Sequence, residues 1–341
     1  MVSPPRFLRE ASLAEKQAGG KVRCLACAHR CLTGPGGSGR CGARFNERGA
    51  LMAPWGYVSS ASLDPIEKKP FFHALPGART LSFGMFGCSF RCSFCQNWQI
   101  ADPKAAGRLT PLGTSSGELV SEALAGGADV LVSTYNEPLI TAEWAAAVFT
   151  GAKEKKLRTA FVSNGYATPE AAAFLKPVLD LWKVDLKCFN DENYRRVCGG
   201  ELPKVLEGIR LILAAGFWTE IVTLVIPGFN DSDAEIGAMA DFLAGLSKDL
   251  PWHLTAFHPD HLLTAVPPTP QEALYRARDI ARAAGLRYVY CGNIRGAAGQ
   301  DTNCPSCGLA VITREGFSVK RNLLGAGGAC SCGYKIPGVW I

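Results

Sequence analysis

The sequence predicts an α/β protein in which a partial or full β/α barrel carries a small cysteine-rich module at each end. Strand-length apolar runs alternate with helical stretches from residue 80 onward, which is typical of a parallel sheet with crossover helices. A chain of 341 residues and 36.4 kDa has an ordinary length for one such barrel with small additions. Cysteines crowd the segments before and after the alternating region.

The alternating region contains seven strand candidates. Two helical candidates between them are Glu143–Lys155 and Thr168–Lys176. Six or seven βα units fit an open or closed barrel better than a dinucleotide-binding sheet. The strand candidates are Thr80–Phe86, Ala128–Ser133, Arg158–Ser163, Leu179–Asp185, Glu220–Ile226, Trp252–Phe257 and Arg287–Tyr290.

The flanks predict three domains: a cysteine-rich segment at 1–79, the barrel at 80–300 and a small module at 301–341. Residues 1–20 are expected to form a helix that ends at Gly19-Gly20. Residues 21–50 are basic and rich in glycine, so this segment needs a cross-link such as a bound metal to adopt an ordered structure. The stretch AVITREGFSV in the last module predicts a two-stranded hairpin.

Composition excludes several classes. Hydrophobic residues make up 48% and charged residues 19%, so a large core is expected and wholesale disorder is not. No apolar run approaches the roughly 18 residues of a membrane helix, and no secretory signal is expected at the N-terminus, so we expect a cytoplasmic protein without membrane attachment. The net charge of +6 comes from the first 50 residues. This basic lobe is compatible with a phosphate-bearing or acidic partner, and nucleic acid is not excluded.

Most of the 14 cysteines lie in three clusters, and only Cys188, Cys198 and Cys291 stand apart. The cytosol keeps thiols reduced, so this grouping indicates metal binding more than disulfides. The clusters are Cys24/Cys27/Cys31/Cys41, Cys88/Cys92/Cys95 and Cys304/Cys307/Cys330/Cys332.

The central triplet follows the first barrel strand, where barrel enzymes carry active-site loops. Four-iron clusters usually take four cysteines, so Cys88, Cys92 and Cys95 would leave one iron open for a substrate or cofactor. Zinc prefers paired C-x2-C knuckles, and this run is a triplet.

The C-x3-C-x2-C spacing, with Phe94 before the last cysteine, resembles the signature of radical S-adenosylmethionine (SAM) enzymes. This resemblance implies a [4Fe-4S] cluster on Cys88, Cys92 and Cys95, with SAM chelated at the open iron and Phe94 near the adenine. It also implies reductive cleavage of SAM to a 5′-deoxyadenosyl radical that abstracts hydrogen, fed by an electron donor such as flavodoxin or ferredoxin. The Gln96-Asn97 pair resembles the variant in the activating enzymes of glycyl-radical proteins, such as those of pyruvate formate-lyase, and adds Asn97 to the expected cofactor site.

Further motifs at predicted strand ends fit the same resemblance. The turn 134–138 is similar to the family's GGE-type turn, which binds the SAM ammonium, and a strand end with carboxylate and carbonyl acceptors suits a cation. Val162 stands where the activating enzymes often carry Asp, and Val222-Thr223 where they carry a basic residue. The cofactor-binding residues implied at the strand ends are Asn136, Glu137, Ser163, Asn164, Asp185, Lys187 and His258.

Across nearly the whole chain, the match is similar to the radical SAM component of the AmmeMemoRadiSam system. The segments that carry it are CLACAHRC, WGYVSSASLDPIEKKPFFH, CQNWQIA and CPSCG…IPGVW. It implies Memo-type and AMMECR-type proteins as partners. The target stays open between a glycyl residue of a partner protein and a small molecule or nucleobase, including aminocarboxypropyl transfer. A non-catalytic iron–sulfur or zinc electron-transfer protein is the alternative outside catalysis, although such a carrier needs no SAM site.

The two flanking clusters predict metal as well. Cys304, Cys307, Cys330 and Cys332 resemble a zinc ribbon, although the second knuckle is C-x-C instead of C-x2-C. For the N-terminal set, zinc is the first expectation and an auxiliary iron–sulfur cluster the second, with His29 as an extra candidate ligand. That set comprises Cys24, Cys27, Cys31 and Cys41.

Overall fold

The structure is a computed structural model that describes residues 5–294, 296 and 299–340. Its central element is an eight-stranded sheet in which seven strands run parallel and follow one another in chain order. Eight short strands precede the parallel region: β1 (Leu8–Glu10), β2 (Ala14–Lys16), β3 (Val22–Cys24), β4 (Leu32–Thr33), β5 (Phe45–Glu47), β6 (Ala50–Pro54), β7 (Tyr57–Val58) and β8 (Ser60–Pro65).

The parallel region alternates strands and helices. Its strands are β9 (Arg79–Gly84), β10 (Leu112–Gly113), β11 (Val130–Ser133), β12 (Arg158–Ser163), β13 (Leu181–Asp185), β14 (Trp218–Val225), β15 (Trp252–Ala256) and β16 (Val289–Gly292). Its helices are α1 (Trp98–Ala101), α2 (Pro103–Ala106), α3 (Ser116–Ala125), α4 (Ala142–Glu154), α5 (Pro169–Leu175), α6 (Asp191–Asn193), α7 (Leu202–Ala214), α8 (Asp233–Leu246) and α9 (Gln271–Ala283). Three strands follow: β17 (Thr302–Asn303), β18 (Ala310–Glu315) and β19 (Ser318–Asn322).

The sheet order is β16-β15-β14-β13-β12-β11-β9-β8, with β8 antiparallel at one edge and β10 paired to β7 outside it. Each new strand therefore adds on the same side, as in a barrel, and β16 and β8 remain the two edges of an open sheet. All seven predicted strands are confirmed in place, as is the hairpin of the last module, which is β18 and β19. The division at residues 79 and 300 stays a prediction.

Side chains alternate between the two faces of the sheet because successive residues of a strand point to opposite sides. Trp182 and Val184 pack on the outer face with the helices. Leu181 of the same strand packs on the inner face, where it meets Ile66 and Phe71. The segment 66–78, here called the closure segment, thus fills the lower part of the concave face.

The prediction of a helix at residues 1–20 is wrong. The described part of this segment contains β1 and β2, which pair with β6 and β3. Ala11 and Leu13 are buried between exposed neighbours, which is the alternation of an extended chain. Pairing with distant strands overrides the local helix propensity of this alanine-rich stretch.

The closure segment and the C-terminal module (residues 301–340) are joined by a buried network around His73. His73 Nδ1 donates to the carbonyl of Pro337 at 2.8 Å, so Nε2 accepts the hydroxyl of Tyr290 at 2.5 Å. The backbone amides of Phe72 and His73 both donate to Glu220, each at 2.9 Å. These bonds hold three distant parts of the chain together under the sheet.

The network leads to a prediction about acid sensitivity. Burial lowers the pKa of His73 from 6.5 to about 4, so between these pH values the unfolded chain binds a proton that the folded chain does not. The contribution of His73 to the free energy of unfolding is complete above pH 6.5, and it falls by about 1.4 kcal/mol per pH unit as the pH drops toward 4. Between pH 7 and pH 5, the urea midpoint of unfolding is expected to fall further in wild type than in His73→Gln. An equal fall in both proteins refutes the assignment.

Candidate active site

One cavity of about 600 Å³ opens at the carboxyl ends of the parallel strands and runs down the concave face. Its upper wall is the cysteine loop (residues 85–97) between β9 and α1, and its lower wall comes from the closure segment and the C-terminal module. A volume of this size suits a small-molecule or cofactor site.

The cysteine loop turns sharply after β9. Gly87 has a φ of +88°, and a Cβ at this position would lie 2.7 Å from the carbonyl oxygen of Cys41, so only glycine fits. Arg91 donates to the carbonyls of Cys88 at 2.6 Å and Phe90 at 2.8 Å. The loop is therefore held by the tight turn at Gly87 and by the hydrogen bonds of Arg91. Its three cysteines, Cys88, Cys92 and Cys95, all line the cavity.

Burial opposes the ionised form of all three thiols. It raises the pKa of Cys88, and it raises the pKa of Cys95 to about 11. A hydrogen bond from Cys198 lowers the pKa of Cys92, although burial opposes it. Three buried thiols on one loop fit a metal centre, because a bound metal stabilises thiolates.

The loop after β11 carries Asn136 and Glu137, whose side chains tie neighbouring loops together. Asn136 accepts the amide of Met85 at 3.1 Å and donates to the carbonyl of Gly87 at 3.0 Å. Both residues line the cavity.

Glu137 accepts three hydrogen bonds: from the amides of Asn164 at 2.7 Å and Leu139 at 3.1 Å and from the Ser163 hydroxyl at 2.8 Å. Burial raises the pKa of Glu137 to about 7 against these donors. Much of the hydrogen-bonding capacity of the Glu137 carboxylate is thus used by groups of the protein itself. Its main visible role is to join the ends of β11 and β12, while Ser163 and Asn164 line the cavity beside it.

A charged row lies on the inner face at the end of β13. Asp185 contacts the ammonium of Lys183 and lies 3.2 Å from that of Lys187. Burial alone would raise the pKa of Asp185, but the two ammonium groups lower it to about 2. All three side chains line the cavity.

The remaining predicted cofactor-binding residues fall into two groups, inside and outside the cavity. Phe94 and Asn97 line the cavity, and the Phe94 ring lies 5.9 Å from the Lys187 ammonium. His258 is exposed and is not among the residues that line the cavity. Its Nε2 lies 2.9 Å from Nε2 of Gln96, so it borders the cysteine loop from outside.

Several residues of the site were missed from the sequence. Lys183 interrupts an apolar strand two positions before Asp185, and the period of a strand could have placed it on the same face. The thiol of Cys198, which lies outside the sequence clusters, hydrogen-bonds to Cys92. The lower wall combines His253 and Tyr290 from the strands β15 and β16 with residues from segments that have no barrel pattern, which are Glu67, Phe72, Gln300 and Phe317.

Two buried acceptors in this lower wall lack partners within the described residues. Oε2 of Glu67 and Oε1 of Gln300 make no hydrogen bond, and both side chains are almost wholly buried. The other oxygen of Glu67 accepts the amide of Gly77 at 2.9 Å and lies 3.7 Å from Nε of Arg314. Buried acceptors without donors are costly unless something binds them.

The two flanking cysteine sets differ in spacing. In the C-terminal module, the four sulfur atoms all lie within 4.8 Å of one another. Within the described residues, the cavity triplet and the N-terminal set contain no such group of three. The N-terminal four line a small cavity of their own, together with His29.

No helix in the described part of the chain has the length and apolarity needed to cross a membrane.

Comparison with known proteins agrees with this arrangement. The model of the radical SAM superfamily matches residues 83–243. An uncharacterized protein of Methanocaldococcus jannaschii is 38% identical over 319 residues, which cover 92% of this chain and 93% of that protein. The pyruvate formate-lyase 1-activating enzyme of Escherichia coli K12 is 24% identical over 235 residues, covering 63% of this chain and 93% of that enzyme.

Among solved structures, a domain of a pyruvate formate-lyase-activating enzyme from Bacteroides vulgatus matches 48% of this chain and 98% of its own, with 21% identity and a TM-score of 0.43. The superfamily match contains the cysteine loop and the strand ends β9 to β14 that line the cavity. The chain belongs to one family with the Methanocaldococcus protein, and it is an enzyme with a radical SAM domain at residues 83–243.

Proposed function

We propose that this enzyme holds a [4Fe-4S] cluster on Cys88, Cys92 and Cys95, binds SAM beside it, and abstracts hydrogen from a small polar substrate. The observation that carries the proposal is one continuous cavity, which runs from the three thiols to a lower wall with two buried acceptors that lack partners within the described residues. Radical SAM enzymes use a [4Fe-4S] cluster and SAM, and they generally receive electrons from donors such as flavodoxin. A ferredoxin is an alternative donor.

The residues present fit this pair of cofactors. Three thiols face the cavity from one loop, and their sulfurs are not gathered closely enough for a single tetrahedral ion. When bound, the cluster and SAM supply a 5′-deoxyadenosyl radical that removes a hydrogen atom from the substrate. The chain itself positions the loop through Gly87 and Arg91, and it joins the strand ends through Glu137.

The expected substrate is small and carries N–H or O–H donors. Oε2 of Glu67 and Oε1 of Gln300 can each accept a hydrogen bond that no described group of the protein supplies. Phe72 and Phe317 add apolar walls beside them, which limits water at the reacting position. A polar molecule anchored at this lower wall would reach toward the cysteine loop.

A glycyl residue of a partner protein is the second candidate target. It is supported by the similarity to the Escherichia coli activating enzyme over 63% of this chain. The AmmeMemoRadiSam resemblance adds Memo-type and AMMECR-type proteins as the partners to examine. In this case an extended segment of the partner would have to enter the same cavity.

Deuterium transfer separates the two targets. Cells are grown in deuterated water, and their extract is divided into a small-molecule fraction and a protein fraction. The reconstituted enzyme is given SAM, a reductant and one fraction at a time, and deuterium in 5′-deoxyadenosine is measured by mass spectrometry. We expect deuterium from the small-molecule fraction, and less of it with Gln300→Leu; deuterium from the protein fraction alone, with a backbone radical detectable there, refutes the first target.

We also propose that the C-terminal cysteines bind zinc. Four sulfurs at about 2.3 Å from one zinc ion lie about 3.8 Å apart. In the structure, Cys304 and Cys332 are 3.6 Å apart and Cys307 and Cys330 are 3.7 Å apart. This zinc would hold a separate module at residues 301–341, as the predicted domain division requires.

Removal of this zinc is expected to loosen the module and the cavity wall that Phe317 forms. Structural zinc contributes about 10–16 kcal/mol to small folds, so the loss is large. Chelation, or the variant Cys307→Ser/Cys332→Ser, is expected to give rapid proteolysis within the module while the barrel persists. Zinc-free protein with an equally resistant module contradicts the proposal.

A further inference from the structure

We propose that Cys24, Cys27, Cys31 and Cys41 bind a second [4Fe-4S] cluster, and that it delivers electrons to the cysteine loop. The delivery step rests on the proposed cluster at that loop, whereas the binding site does not. Sequence spacing alone favours zinc for these four residues, and the structure favours iron and sulfide for two reasons.

The first reason is the shape of the site. The four cysteines come from the end of β3, the turn that follows it and the loop before β5, yet all line one small cavity. Cys24, Cys27 and Cys41 are buried, and Cys31 is partly exposed. A Cβ built on Gly39 would lie 3.7 Å from the sulfurs of both Cys31 and Cys41, so the glycine leaves room beside them. Four thiols around a shared cavity are a suitable ligand set for one bound metal group.

The second reason is the distance between sulfur atoms. One zinc ion draws four sulfurs to about 3.8 Å from one another, and Cys304–Cys332 and Cys307–Cys330 of the C-terminal set have nearly this spacing. In the N-terminal set, no three ligand atoms, His29 included, lie within 4.8 Å of one another. The cysteine loop of the active site shares this wider spacing. A cubane requires it, because a separate iron stands behind each ligand sulfur.

Two of the ligand sulfurs also accept backbone hydrogen bonds. The backbone amide of Arg40 donates to the sulfur of Cys31 at 3.4 Å, and that of Arg44 donates to Cys41 at 3.5 Å. Hydrogen bonds to sulfur are one of the means by which proteins set the potential of an iron–sulfur cluster.

The site also lies directly behind the cysteine loop. His29 Nε2 is 2.9 Å from the carbonyl of Ser89, and Arg91 donates to the carbonyl of Arg40 at 2.7 Å. The carbonyl of Cys41 abuts Gly87, the residue before Cys88. The segments that carry the two cysteine sets are therefore in direct contact. At the N-terminal set, Arg40 and Cys31 reach the protein surface.

This placement supports one electron-transfer step. One electron from a reduced flavodoxin or ferredoxin takes the N-terminal cluster from the 2+ to the 1+ state. The same electron then passes to the cluster at the cysteine loop, and the N-terminal cluster returns to 2+. No proton or bond is exchanged.

The test uses the full chain, reconstituted anaerobically with iron and sulfide. Wild type is expected to hold about eight iron atoms, and Cys88→Ala/Cys92→Ala/Cys95→Ala about four, with a reduced [4Fe-4S] signal in electron paramagnetic resonance that SAM does not alter. Because this variant lacks the active-site ligands, its iron reports on the N-terminal site alone. Zinc in place of that iron overturns the proposal, whatever becomes of SAM cleavage.

A second variant tests the delivery of electrons. Cys31→Ser changes the partly exposed ligand, and Cys188→Ala is the matched control outside both sets. We expect Cys31→Ser to lose SAM cleavage driven by reduced flavodoxin but to keep cleavage driven by dithionite. Equal flavodoxin-driven rates in Cys31→Ser and wild type overturn the relay. If Cys31→Ser fails to fold, Mössbauer spectra of wild type decide the metal site, since a single cluster there contradicts it.

Discussion

Replacing Cys88, Cys92 and Cys95 together by alanine is expected to abolish SAM cleavage while the barrel stays folded. The three thiols line the cavity and are the only cysteines of the loop that precedes α1. Without them, no iron remains at which SAM could be reduced. The measurement is 5′-deoxyadenosine formed under strong reductant, with circular dichroism as the check on folding.

Cys188→Ala is the matched control, because Cys188 is buried behind the same region but does not line the cavity. It is expected to keep both iron and cleavage. Cleavage that persists in the triple variant would place the reaction elsewhere and refute the assignment of the loop.

The second large effect is expected at Asp185. Its carboxylate is the described partner of Lys183, whose side chain is 6% exposed, and it also contacts Lys187. Asp185→Asn keeps the shape but leaves a buried ammonium without its counter-charge. Breaking a buried ion pair in this way costs about 3–5 kcal/mol, so we expect a clearly lower unfolding midpoint and weaker SAM binding.

A double variant separates stability from function at this position. Lys183→Met removes the buried cation, so Lys183→Met/Asp185→Asn is expected to recover most of the lost stability. It is not expected to recover SAM binding, because the charged wall of the cavity is still missing. Full recovery of cleavage in the double variant would show that the row is structural only.

The barrel could be predicted from the sequence because its information is local. Each apolar run of four to eight residues, such as that ending at Asp185, predicts a buried strand, and the order of βα units then determines the sheet. The residues at the strand ends follow from this, since parallel strands present their carboxyl ends at one edge. Eight of the nine predicted cofactor residues line the cavity, and His258 does not.

The lower wall of the cavity could not be predicted in the same way. His73 and Pro337 meet across 264 positions of sequence, and no local pattern announces such a contact. The error at residues 1–20 has the same origin, because β1 and β2 exist only through their distant partners. Cysteine spacing likewise indicates a metal but not the distances between sulfurs, which distinguish the N-terminal set from the C-terminal one.

The most direct test of the central claim is the product of SAM with the reconstituted, reduced enzyme. The proposed function predicts 5′-deoxyadenosine and methionine in equal amounts, slowly without the true substrate, and neither product from the variant that lacks Cys88, Cys92 and Cys95. Methylthioadenosine as the main product would indicate transfer of the aminocarboxypropyl group instead. An intact cluster at the cysteine loop that leaves SAM uncleaved would contradict the catalytic account altogether.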